Sequence, residues 1–433
     1  MDVMIQGGSP LTGELHVPPD KSISHRAVIL GALAQGRSII RNFLRSEDTL
    51  ATVRCLRGLG ITVEDKGKVL EVHGNGLRGL REPSNVLDCG NSGTTMRLLA
   101  GMVASYSFLT ILTGDDSLRN RPMGRVIKPL MLMGTSIEGR KNGVYAPLVI
   151  KGGQLRPISY RLPVASAQVK SAILLAALGI EGETEIRELA PSRDHTERML
   201  KAMGARLQVK DKVIHLTGGH ELLPQEYTIP GDISSAAFWL VAACLVPGSE
   251  LILRDVGINP SRTGVIKVLR QMGASIQTIN ERLLGGEAVA DLIVRSAPLK
   301  GVDIGGEIIP TLIDEIPILA VAMANAKGES VVRDAQELRV KETDRIKAIC
   351  DNLRALGAEI EEMSDGFWVR GSAKFNGAEV NSFGDHRLAM AMGIAGLLTQ
   401  DPIRLTRAEA VNISYPGFWY DLNRFTSVEI NKI

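Results

Sequence analysis

Two short sequence patterns recur along the chain, and their spacing restricts the fold more than any other feature. The first pattern is a leucine, a Met-Gly or Leu-Gly pair and then alternating apolar residues, in LRGLGITVE, LMLMGTSIE, LKAMGARLQV, LRQMGASIQT and LRALGAEIEE. A glycine at this place suits the end of a helix, where the chain turns through the left-handed region. The alternation that follows predicts a strand.

The second pattern is a polar or charged start to a long apolar helix. It occurs six times, in segments anchored at Lys21, Asn91, Ser166, Asp232, Asp314 and Asp385. The anchors lie about 66 to 82 residues apart, a period typical of repeated supersecondary units. The chain is therefore predicted to contain six similar α/β units, of which the last lacks the Met-Gly pattern and is expected to be truncated.

Length, charge and cysteine content exclude several classes of protein. A chain of 433 residues exceeds one ordinary core, which predicts two domains. The net charge of +2 gives no reason to expect a nucleic acid or membrane partner. The N-terminus lacks the features of a signal peptide, and the longest apolar runs are short for a membrane span. Four isolated cysteines indicate neither a disulfide framework nor a zinc site, so we expect a cytoplasmic protein without a metal.

Cations stand at several predicted helix starts, where the helix dipole disfavours them. They include Lys21 with Arg26, Arg97, Lys170, and His386 with Arg387. Each segment alone is explained about as well by ordinary N-capping. Together, helix N-termini and cations that faced one cleft would bind a multiply anionic ligand through backbone N–H groups and counter-charges.

Residues 338–357, LRVKETDRIKAICDNLRALG, are predicted to form an amphipathic helix. Lys341 and Arg345 would then share a face at i and i+4, with Glu342 beside them. This spacing is also typical of a solvated, salt-bridged face. Their position at the helix start favours a functional role.

Two further segments carry candidate binding or catalytic groups. Residues 112–125, LTGDDSLRNRPMGR, are predicted to be a loop that brings together Arg119, Arg121 and Arg125, and arginine suits carboxylate or phosphate binding. Asp314 opens an almost wholly apolar helix. It is either an N-cap or a hydrogen-bond acceptor and general base, and the sequence leaves both uses open.

The motifs DKSISHR, GNSGTTMR, TGDDSLRNRP, SAQVKSA, PSRDHTER, IPGDISSAA, LRVKETDR and GDHRLAMAM occur in the order typical of one family. Over about residues 5 to 420 the chain resembles the 5-enolpyruvylshikimate-3-phosphate synthase family, with motifs similar to its second class. The resemblance implies two similar domains, each of three βαβαββ units around buried helices. It places one domain at residues 20–228 and the other at 1–19 and 229–433, with the active site in the cleft between them.

The resemblance also implies a reaction, the transfer of the enolpyruvyl group of phosphoenolpyruvate to the 5-hydroxyl of shikimate 3-phosphate with release of phosphate. It implies no metal and no cofactor, and a monomer. Its implied catalytic residues are Asp314, Glu342 and Lys21. Shikimate 3-phosphate would be bound by Lys21, Ser22, Arg26, Ser166, Gln168, Arg193, Asp314 and Lys341, and phosphoenolpyruvate by Lys21, Gly93, Thr94, Arg121, Gln168, Arg345 and Arg387.

Some positions depart from the family pattern. Pro19 precedes Asp20 where the second class usually has glycine, and Ile413 stands where first-class members have a lysine.

The related transferase that acts on UDP-N-acetylglucosamine would need Lys-Asn in place of Lys21-Ser22 and a reactive cysteine in the 112–125 loop. A non-catalytic anion-binding scaffold remains a different class of explanation. Dinucleotide binding is disfavoured because no GxGxxG motif links a strand to a helix.

Overall fold

The computed structural model describes residues 1–431, with side chains described for residues 1–425. The chain divides into two compact units. One unit contains residues 1–18, 231–282 and 288–433, and the other contains residues 19–230 and 283–287. Each unit has its own apolar core.

The strands of the described chain are β1 Asp2–Gly8, β2 Thr12–His16, β3 Gln35–Arg41, β4 Thr62–Asp65, β5 Val69–Asn75, β6 Leu87–Asp88, β7 Leu109–Thr113 and β8 Ser136–Gly139. They continue with β9 Tyr145–Lys151, β10 Ser159–Arg161, β11 Gly182–Arg187, β12 Arg206–Lys210, β13 Val213–Gly218, β14 Glu226–Thr228, β15 Glu250–Gly257 and β16 Ser275–Leu284. The last are β17 Glu287–Arg295, β18 Asp303–Ile304, β19 Glu329–Val332, β20 Ile360–Met363, β21 Gly366–Arg370, β22 Glu379–Asn381, β23 Ile403–Thr406 and β24 Thr426–Asn431.

The helices are α1 Lys21–Leu33, α2 Glu47–Gly58, α3 Gly93–Val103, α4 Asp116–Arg119, α5 Gly124–Met133, α6 Arg140–Gly143 and α7 Ala167–Leu178. They continue with α8 His195–Ala202, α9 Ile233–Leu245, α10 Gly264–Gln271, α11 Ile316–Asn325, α12 Arg345–Ala355, α13 His386–Ala395 and α14 Phe418–Leu422. Short 3-10 helices cover Gly306–Thr311, Ile313–Glu315, Gln336–Val340, Gly396–Leu398 and Ala408–Ile413. No helix among the described residues combines the length and apolar composition that crossing a bilayer requires.

The strands form six four-stranded sheets with one shared plan. In the sheet β6-β7-β9-β8, the first pair is parallel and the remaining pairs are antiparallel. A parallel pair needs a crossover connection, and α3 supplies it here. The sheets β10-β11-β13-β12 and β18-β19-β21-β20 repeat this plan with α7 and α11 as crossovers. Each unit of the repeat therefore reads strand, buried helix, strand, helix, strand, strand.

Two sheets take their first strand from a distant part of the sequence. Strand β14 pairs in parallel with β3, and β2 pairs in parallel with β15. The chain passes from one compact unit to the other directly after each of these strands, at residues 18–19 and 230–231. Consequently β2 and β14 are each followed in sequence by a helix of the other unit.

The sixth sheet is completed by the first strand of the chain. Its order is β22-β23-β1-β24, so the strand from the start of the chain fills the place of the last strand in this repeat. The expected truncation is thus a permutation of the repeat, because the sixth unit is completed from the N-terminus.

The first helix of every repeat is buried because its sequence is apolar on all sides. In α9, for example, every residue from Ile233 to Cys244 is buried, and α1, α3, α7, α11 and α13 are similar. The second helices are amphipathic. The five pattern glycines, Gly60, Gly134, Gly204, Gly273 and Gly357, all have φ between +84° and +116°, which confirms their prediction as left-handed helix ends.

Candidate active site

The start of α1 places a lysine beside a buried acid. Asp20 caps the helix by accepting a hydrogen bond from the N–H of Ile23 at 2.8 Å. Lys21 is the first helical residue, and its Nζ lies 2.9 Å from Oδ2 of Asp48 near the start of α2. The Asp48 carboxylate offsets the unfavourable placement of a cation at this helix end.

Arg26, one turn further along α1, is buried and held by three acceptors. Its Nε donates to the Thr196 hydroxyl at 2.7 Å, and its Nη2 donates to the Ser171 hydroxyl at 3.0 Å. Nη1 donates to the carbonyl of Ser22 at 3.0 Å. Arg193 is half-buried in the segment that leads into α8, three residues before Thr196.

The starts of α3 and α7 lie side by side and are joined through a glutamine. Gln168, in the first turn of α7, donates from Nε2 to the Thr94 hydroxyl of α3 at 2.9 Å. Its Oε1 accepts from Nη1 of Arg97 at 2.7 Å. Ser166 is the N-cap of α7 and accepts from the N–H of Val169 at 3.4 Å.

Gly93 is the first residue of α3, and a side chain there would displace the Arg97 guanidinium. A Cβ added at Gly93 would lie 2.8 Å from Nη1 of Arg97 and 3.5 Å from Nη1 of Arg121. Arg121 is buried, and its Nη2 donates to Oδ1 of Asn91 at 2.6 Å. Two guanidinium groups therefore stand next to the backbone at this helix start.

The segment that carries Arg121 is more regular than predicted, because its first two residues end β7 and its last two begin α5. Residues 112–125 were expected to be a loop, but Asp115 accepts a hydrogen bond from Leu118 N–H at 2.8 Å and starts the short helix α4. An aspartate followed by good helix-compatible residues allows this single turn. Arg121 lies directly after it.

The structure thus assembles nine of the predicted residues within residues 19–230. We call this set the first cluster; its members are Lys21, Ser22, Arg26, Gly93, Thr94, Arg121, Ser166, Gln168 and Arg193. It combines the N-termini of three helices with four cationic side chains. Such an arrangement has the chemistry of an anion site, because backbone N–H groups at helix starts and cationic side chains both offer positive charge.

One predicted cation does not belong to this group. Lys170 is fully buried, and its Nζ lies 2.6 Å from Glu197 and 3.1 Å from Glu188. Burial raises the pKa of Glu197, although the charge of Lys170 opposes that shift. The expectation that Lys170 would await an anionic ligand is wrong, because two carboxylates already neutralise it.

Asp314 lies in the other unit, in the 3-10 turn Ile313–Glu315. Its Oδ1 accepts from Nη1 of Arg345 at 3.1 Å and from Nζ of Lys341 at 3.4 Å. Its carboxylate does not cap α11, which begins after Glu315 without a side-chain cap. The capping interpretation of Asp314 is therefore wrong, and its carboxylate interacts with cations instead.

Arg345 connects three carboxylates while almost fully buried. Nε donates to Asp385 Oδ2 at 2.7 Å, and Nη2 donates to Glu342 Oε2 at 2.6 Å, in addition to the bond from Nη1 to Asp314. Burial alone would lower the pKa of Arg345, but the charges of Asp385, Glu342 and Asp314 outweigh it and raise the pKa. Arg345 therefore stays protonated in this environment.

Arg387 approaches Asp314 from the start of α13. Its Nη1 donates to the Asp314 backbone carbonyl at 3.0 Å, and its Nη2 lies 3.7 Å from Asp314 Oδ2. The same Nη1 lies 3.5 Å from the buried Glu315. Asp385 caps α13 by accepting from the N–H of Arg387 at 2.8 Å. We call Asp314, Lys341, Glu342, Arg345, Asp385 and Arg387 the Asp314 cluster.

The helix predicted over 338–357 is shorter than expected. Asp344 accepts from Lys347 N–H at 3.1 Å and caps α12, so the helix begins at Arg345. Lys341 and Glu342 lie in the irregular segment before it and do not share a helical face with Arg345. They still reach Asp314 and Arg345, because that segment folds back over the helix start.

Sequence reasoning missed two acids that hold the candidate cations. Asp48 pairs with Lys21, and Asp385 pairs with Arg345. Asp385 could have been suspected from its place at the start of a repeat helix. Asp48 carries no such signal, since SEDT also reads as an ordinary helix start.

A sequence profile of EPSP synthase (3-phosphoshikimate 1-carboxyvinyltransferase) matches residues 5–422. The 3-phosphoshikimate 1-carboxyvinyltransferase of Syntrophomonas wolfei is 56% identical over 96% of this chain and 98% of its own length. The chain belongs to the EPSP synthase family. The enzyme of the same name from Synechocystis is 54% identical over 96% of this chain and 94% of its own.

Solved structures of the EPSP synthase family have the same fold. EPSP synthase from Acinetobacter baumannii superposes with a TM-score of 0.88 at 43% identity, over the whole of both chains. The enolpyruvyl transferase NikO from Streptomyces tendae gives 0.78 at 17% identity over 99% of this chain and 98% of its own, which bears on the fold alone. The predictions of family, of the two-part α/β fold and of enolpyruvyl transfer in the shikimate pathway are confirmed.

Proposed function

We propose that the first cluster and the Asp314 cluster together form the active site that transfers the enolpyruvyl group from phosphoenolpyruvate to the 5-hydroxyl of shikimate 3-phosphate. Both substrates carry several negative charges. The first cluster offers helix N-termini with four cations, and the Asp314 cluster offers three cations paired with three carboxylates. The positive charge of the first cluster complements the charge of the substrates, and the acids of the Asp314 cluster supply groups for proton transfer, which supports the proposal.

Shikimate 3-phosphate, the acceptor substrate, is bound mainly by residues around α1 and α7. Lys21, Ser22, Arg26 and Arg193 supply cations and a hydroxyl for shikimate 3-phosphate, with Arg193 directed to its phosphate. Ser166 and Gln168 bind from the first turn of α7, and Asp314 and Lys341 contribute from the Asp314 cluster. The rigid support of Arg26 by Thr196 and Ser171 keeps its guanidinium in place for binding.

Phosphoenolpyruvate, the donor substrate, is bound mainly by residues around α3 and α13. Gly93 and Thr94 offer backbone N–H groups at a helix start to phosphoenolpyruvate, which is a common mode of phosphate binding. Arg121, Arg345 and Arg387 supply guanidinium groups, and Lys21 and Gln168 contact both substrates.

The chemical step adds the acceptor oxygen to C2 of phosphoenolpyruvate. Asp314 accepts the proton of the 5-hydroxyl as the C–O bond forms, and the methylene carbon gains a proton from Glu342 or Lys21. The tetrahedral intermediate then loses phosphate, and the methyl carbon returns a proton to re-form the double bond. The arginines stabilise the charge that develops, as preorganised groups do in enzymes generally.

One observation carries the assignment of Asp314 as the base. Its Oδ1 lies between Arg345 Nη1 and Lys341 Nζ, at 3.1 and 3.4 Å. Two adjacent cations favour the ionised carboxylate, and only that form can accept a proton.

Substitution of Asp314 tests this role. In Asp314→Asn and Asp314→Ala, we expect kcat to fall by about 100-fold or more, the usual contribution of a general base, while shikimate 3-phosphate still binds. Phosphate release gives kcat, and calorimetry gives the binding constant. Asp351→Asn is the matched control, since this acid makes a surface pair with Lys347 in the same unit. Unchanged turnover in the Asp314 variants would remove Asp314 from the mechanism.

Arg121→Ala tests the donor site. We expect the KM for phosphoenolpyruvate to rise more than the KM for shikimate 3-phosphate, because Arg121 stands beside Gly93. Arg119→Ala is the control from the same segment. Equal effects of Arg121→Ala on both constants would contradict the assignment.

We further propose that the working form of the enzyme is a cytoplasmic monomer that closes around both substrates. All four cysteines are buried with free thiols, as is usual in a reducing compartment. Light scattering would give the mass in solution, and small-angle scattering with and without both substrates would show closure as a smaller radius of gyration. A stable dimer, or an unchanged radius, would contradict the respective part.

A further inference from the structure

A buried chain of hydrogen bonds joins the second turns of α1 and α2 to the first turn of α3. Nδ1 of His25 lies 2.7 Å from Oγ1 of Thr52, and that oxygen lies 2.7 Å from Oγ1 of Thr95. The Thr95 hydroxyl lies 2.7 Å from Oγ of Ser92, the N-cap of α3. All four side chains are inaccessible to solvent, and none is assigned a contact with either substrate.

Each side chain in this chain of hydrogen bonds needs its neighbour as a partner. His25 is neutral in this setting, because burial and the charges of Lys21 and Arg26 hold its pKa well below the usual range. The Thr95 hydroxyl donates to Ser92, and each hydroxyl has one proton, so Thr52 donates to Thr95 and His25 donates from Nδ1 to Thr52. In a dry environment such bonds are strengthened, and loss of one leaves a buried polar group unsatisfied.

Thr95 is the member that fixes the first turn of α3. Its backbone N–H donates to Ser92 Oγ at 3.1 Å, which closes the cap. Its hydroxyl bonds the same oxygen and also reaches the backbone carbonyl of Asp48 in α2 at 3.4 Å. The turn is therefore tied to its own cap and to the neighbouring helix through one side chain.

Gly93 and Thr94 lie between Ser92 and Thr95 in this turn. Their N–H groups have no partner within the helix, as at every helix start, and their directions follow the conformation of the turn. The space at Gly93 is tight, since an added Cβ would meet Arg97 Nη1 at 2.8 Å. A small rotation of the turn would thus alter the contacts of any anion bound there, and catalytic sites are sensitive to displacements of that size.

We propose that Thr95 is a positioning residue for the donor substrate, whose hydroxyl, held by Ser92 and Thr52, sets the direction in which Gly93 and Thr94 present their N–H groups. Through Thr52 and His25 the same chain connects this turn to α1, which carries Lys21 and Arg26. The inference rests on the proposed assignment of Gly93 and Thr94 to phosphoenolpyruvate.

The test is Thr95→Val, which keeps the shape of the side chain and removes the hydroxyl. We expect the KM for phosphoenolpyruvate to rise about tenfold, equivalent to about 1.4 kcal/mol. We expect kcat to stay within about threefold, and the dissociation constant of shikimate 3-phosphate within about twofold, because Arg26 and Lys21 have other anchors. Thr95→Ser, which restores the hydroxyl, should return the KM to within about twofold of the original.

Thr110→Val is the matched control. Thr110 is buried in β7, and within the described chain its hydroxyl has no hydrogen-bond partner. The same change of atoms there should leave both substrate constants unaltered. Thr52→Val should raise the KM for phosphoenolpyruvate about threefold, and the Thr52→Val/Thr95→Val double variant should be no worse than Thr95→Val, because the two residues share a bond.

Several results would overturn the inference. One is a Thr95→Val enzyme with reduced thermal stability but an unchanged KM for phosphoenolpyruvate; another is equal increases in both substrate constants. If Thr95→Val does not fold, an unchanged KM in Thr52→Val has the same consequence. The Arg121→Ala variant distinguishes failure of the positioning role from failure of the donor-site assignment. If Arg121→Ala raises the donor KM and Thr95→Val does not, only the positioning role fails, whereas if neither raises it, the donor site itself is misassigned.

Discussion

Gly93→Ala places one methyl group at the start of α3 and measures how tightly the donor site is built. The added Cβ would lie 2.8 Å from Nη1 of Arg97, whereas ordinary contacts begin at 3.4 Å. The Arg97 guanidinium must therefore move by several tenths of an ångström. The same Nη1 donates to Gln168 Oε1 at 2.7 Å, so movement away from Gly93 strains that bond.

The magnitude follows from the groups that are displaced. A hydrogen bond to a charged group contributes about 1.5 to 3 kcal/mol, and partial relaxation of Arg97 recovers some of this. We therefore expect the KM for phosphoenolpyruvate to rise about tenfold, or about 1.4 kcal/mol, with kcat within about threefold. The backbone φ angle of Gly93 is not positive, so alanine should not strain the backbone there. Stability should stay equal or rise by about 0.4 to 1 kcal/mol, as for other permitted glycine-to-alanine changes.

Steady-state phosphate release at varied concentrations of each substrate measures the two KM values, and thermal unfolding measures stability. Gly124→Ala is the control, because Gly124 also begins a helix, α5, and a Cβ there meets no atom within 4 Å. A KM for phosphoenolpyruvate unchanged in Gly93→Ala would refute the proposal that this helix start binds the donor. A loss of stability would refute the estimate that only Arg97 has to move.

Two predictions concern buried ionisable groups that are not assigned to either substrate. Lys170→Met should lower the free energy of unfolding by about 3 to 5 kcal/mol, because Glu188 and Glu197 lose their counter-charge, while the KM values of the folded enzyme stay within about twofold. Urea unfolding measures this loss, with Lys201→Met as an exposed control. A selective rise in one KM would instead show that Lys170 acts in the active site. For His25, the depressed pKa means that stability is complete above about pH 6.5 and is lost as pH falls below it, since the unfolded chain takes up a proton that the folded chain does not. Wild-type stability should therefore fall by up to about 1.4 kcal/mol per pH unit more than that of His25→Asn between pH 6.5 and 5.5; parallel curves would show that His25 is not held neutral.

The repeated architecture was predictable because it is written in local signals. Glycines such as Gly60 and Gly357 mark helix ends by backbone conformation, and apolar helices such as α9 reveal themselves by composition alone. The closure of the sixth sheet was not visible, since pairing of β1 with β23 and β24 joins residues about 400 positions apart, and nothing in a local pattern records such a partner.

The candidate site was predictable in its residue types and less so in their local structure. The sequence 338–357 consists of good helix formers, so the periodic pattern extended the helix back through Lys341 and Glu342. Asp344 is itself a strong N-cap, and this local preference prevailed over propensity. The pairing of Lys21 with Asp48 depends on how α1 and α2 pack, which a single sequence does not encode in a recognisable pattern.

Arg345 shows how the surrounding structure limits what a predicted ligand-binding residue can do. A guanidinium has five N–H donors. In Arg345, Nε bonds Asp385, both donors of Nη2 serve Glu342 and Asp385, and one donor of Nη1 serves Asp314. One N–H remains for a substrate, so Arg345 cannot form a bidentate pair with a carboxylate or phosphate unless an acid leaves it. Its main contribution is then the orientation of Asp314 and Glu342, the two acids proposed to move protons, and a fixed positive charge behind them. The side-chain acceptors of Arg387 lie further away, since its Nη2 is 3.7 Å from the Asp314 carboxylate and its Nη1 is 3.5 Å from the Glu315 carboxylate. Of the two arginines, we therefore expect Arg387 to make the direct contact with phosphoenolpyruvate. Arg387→Ala should raise the KM for phosphoenolpyruvate, while Arg345→Ala should lower kcat.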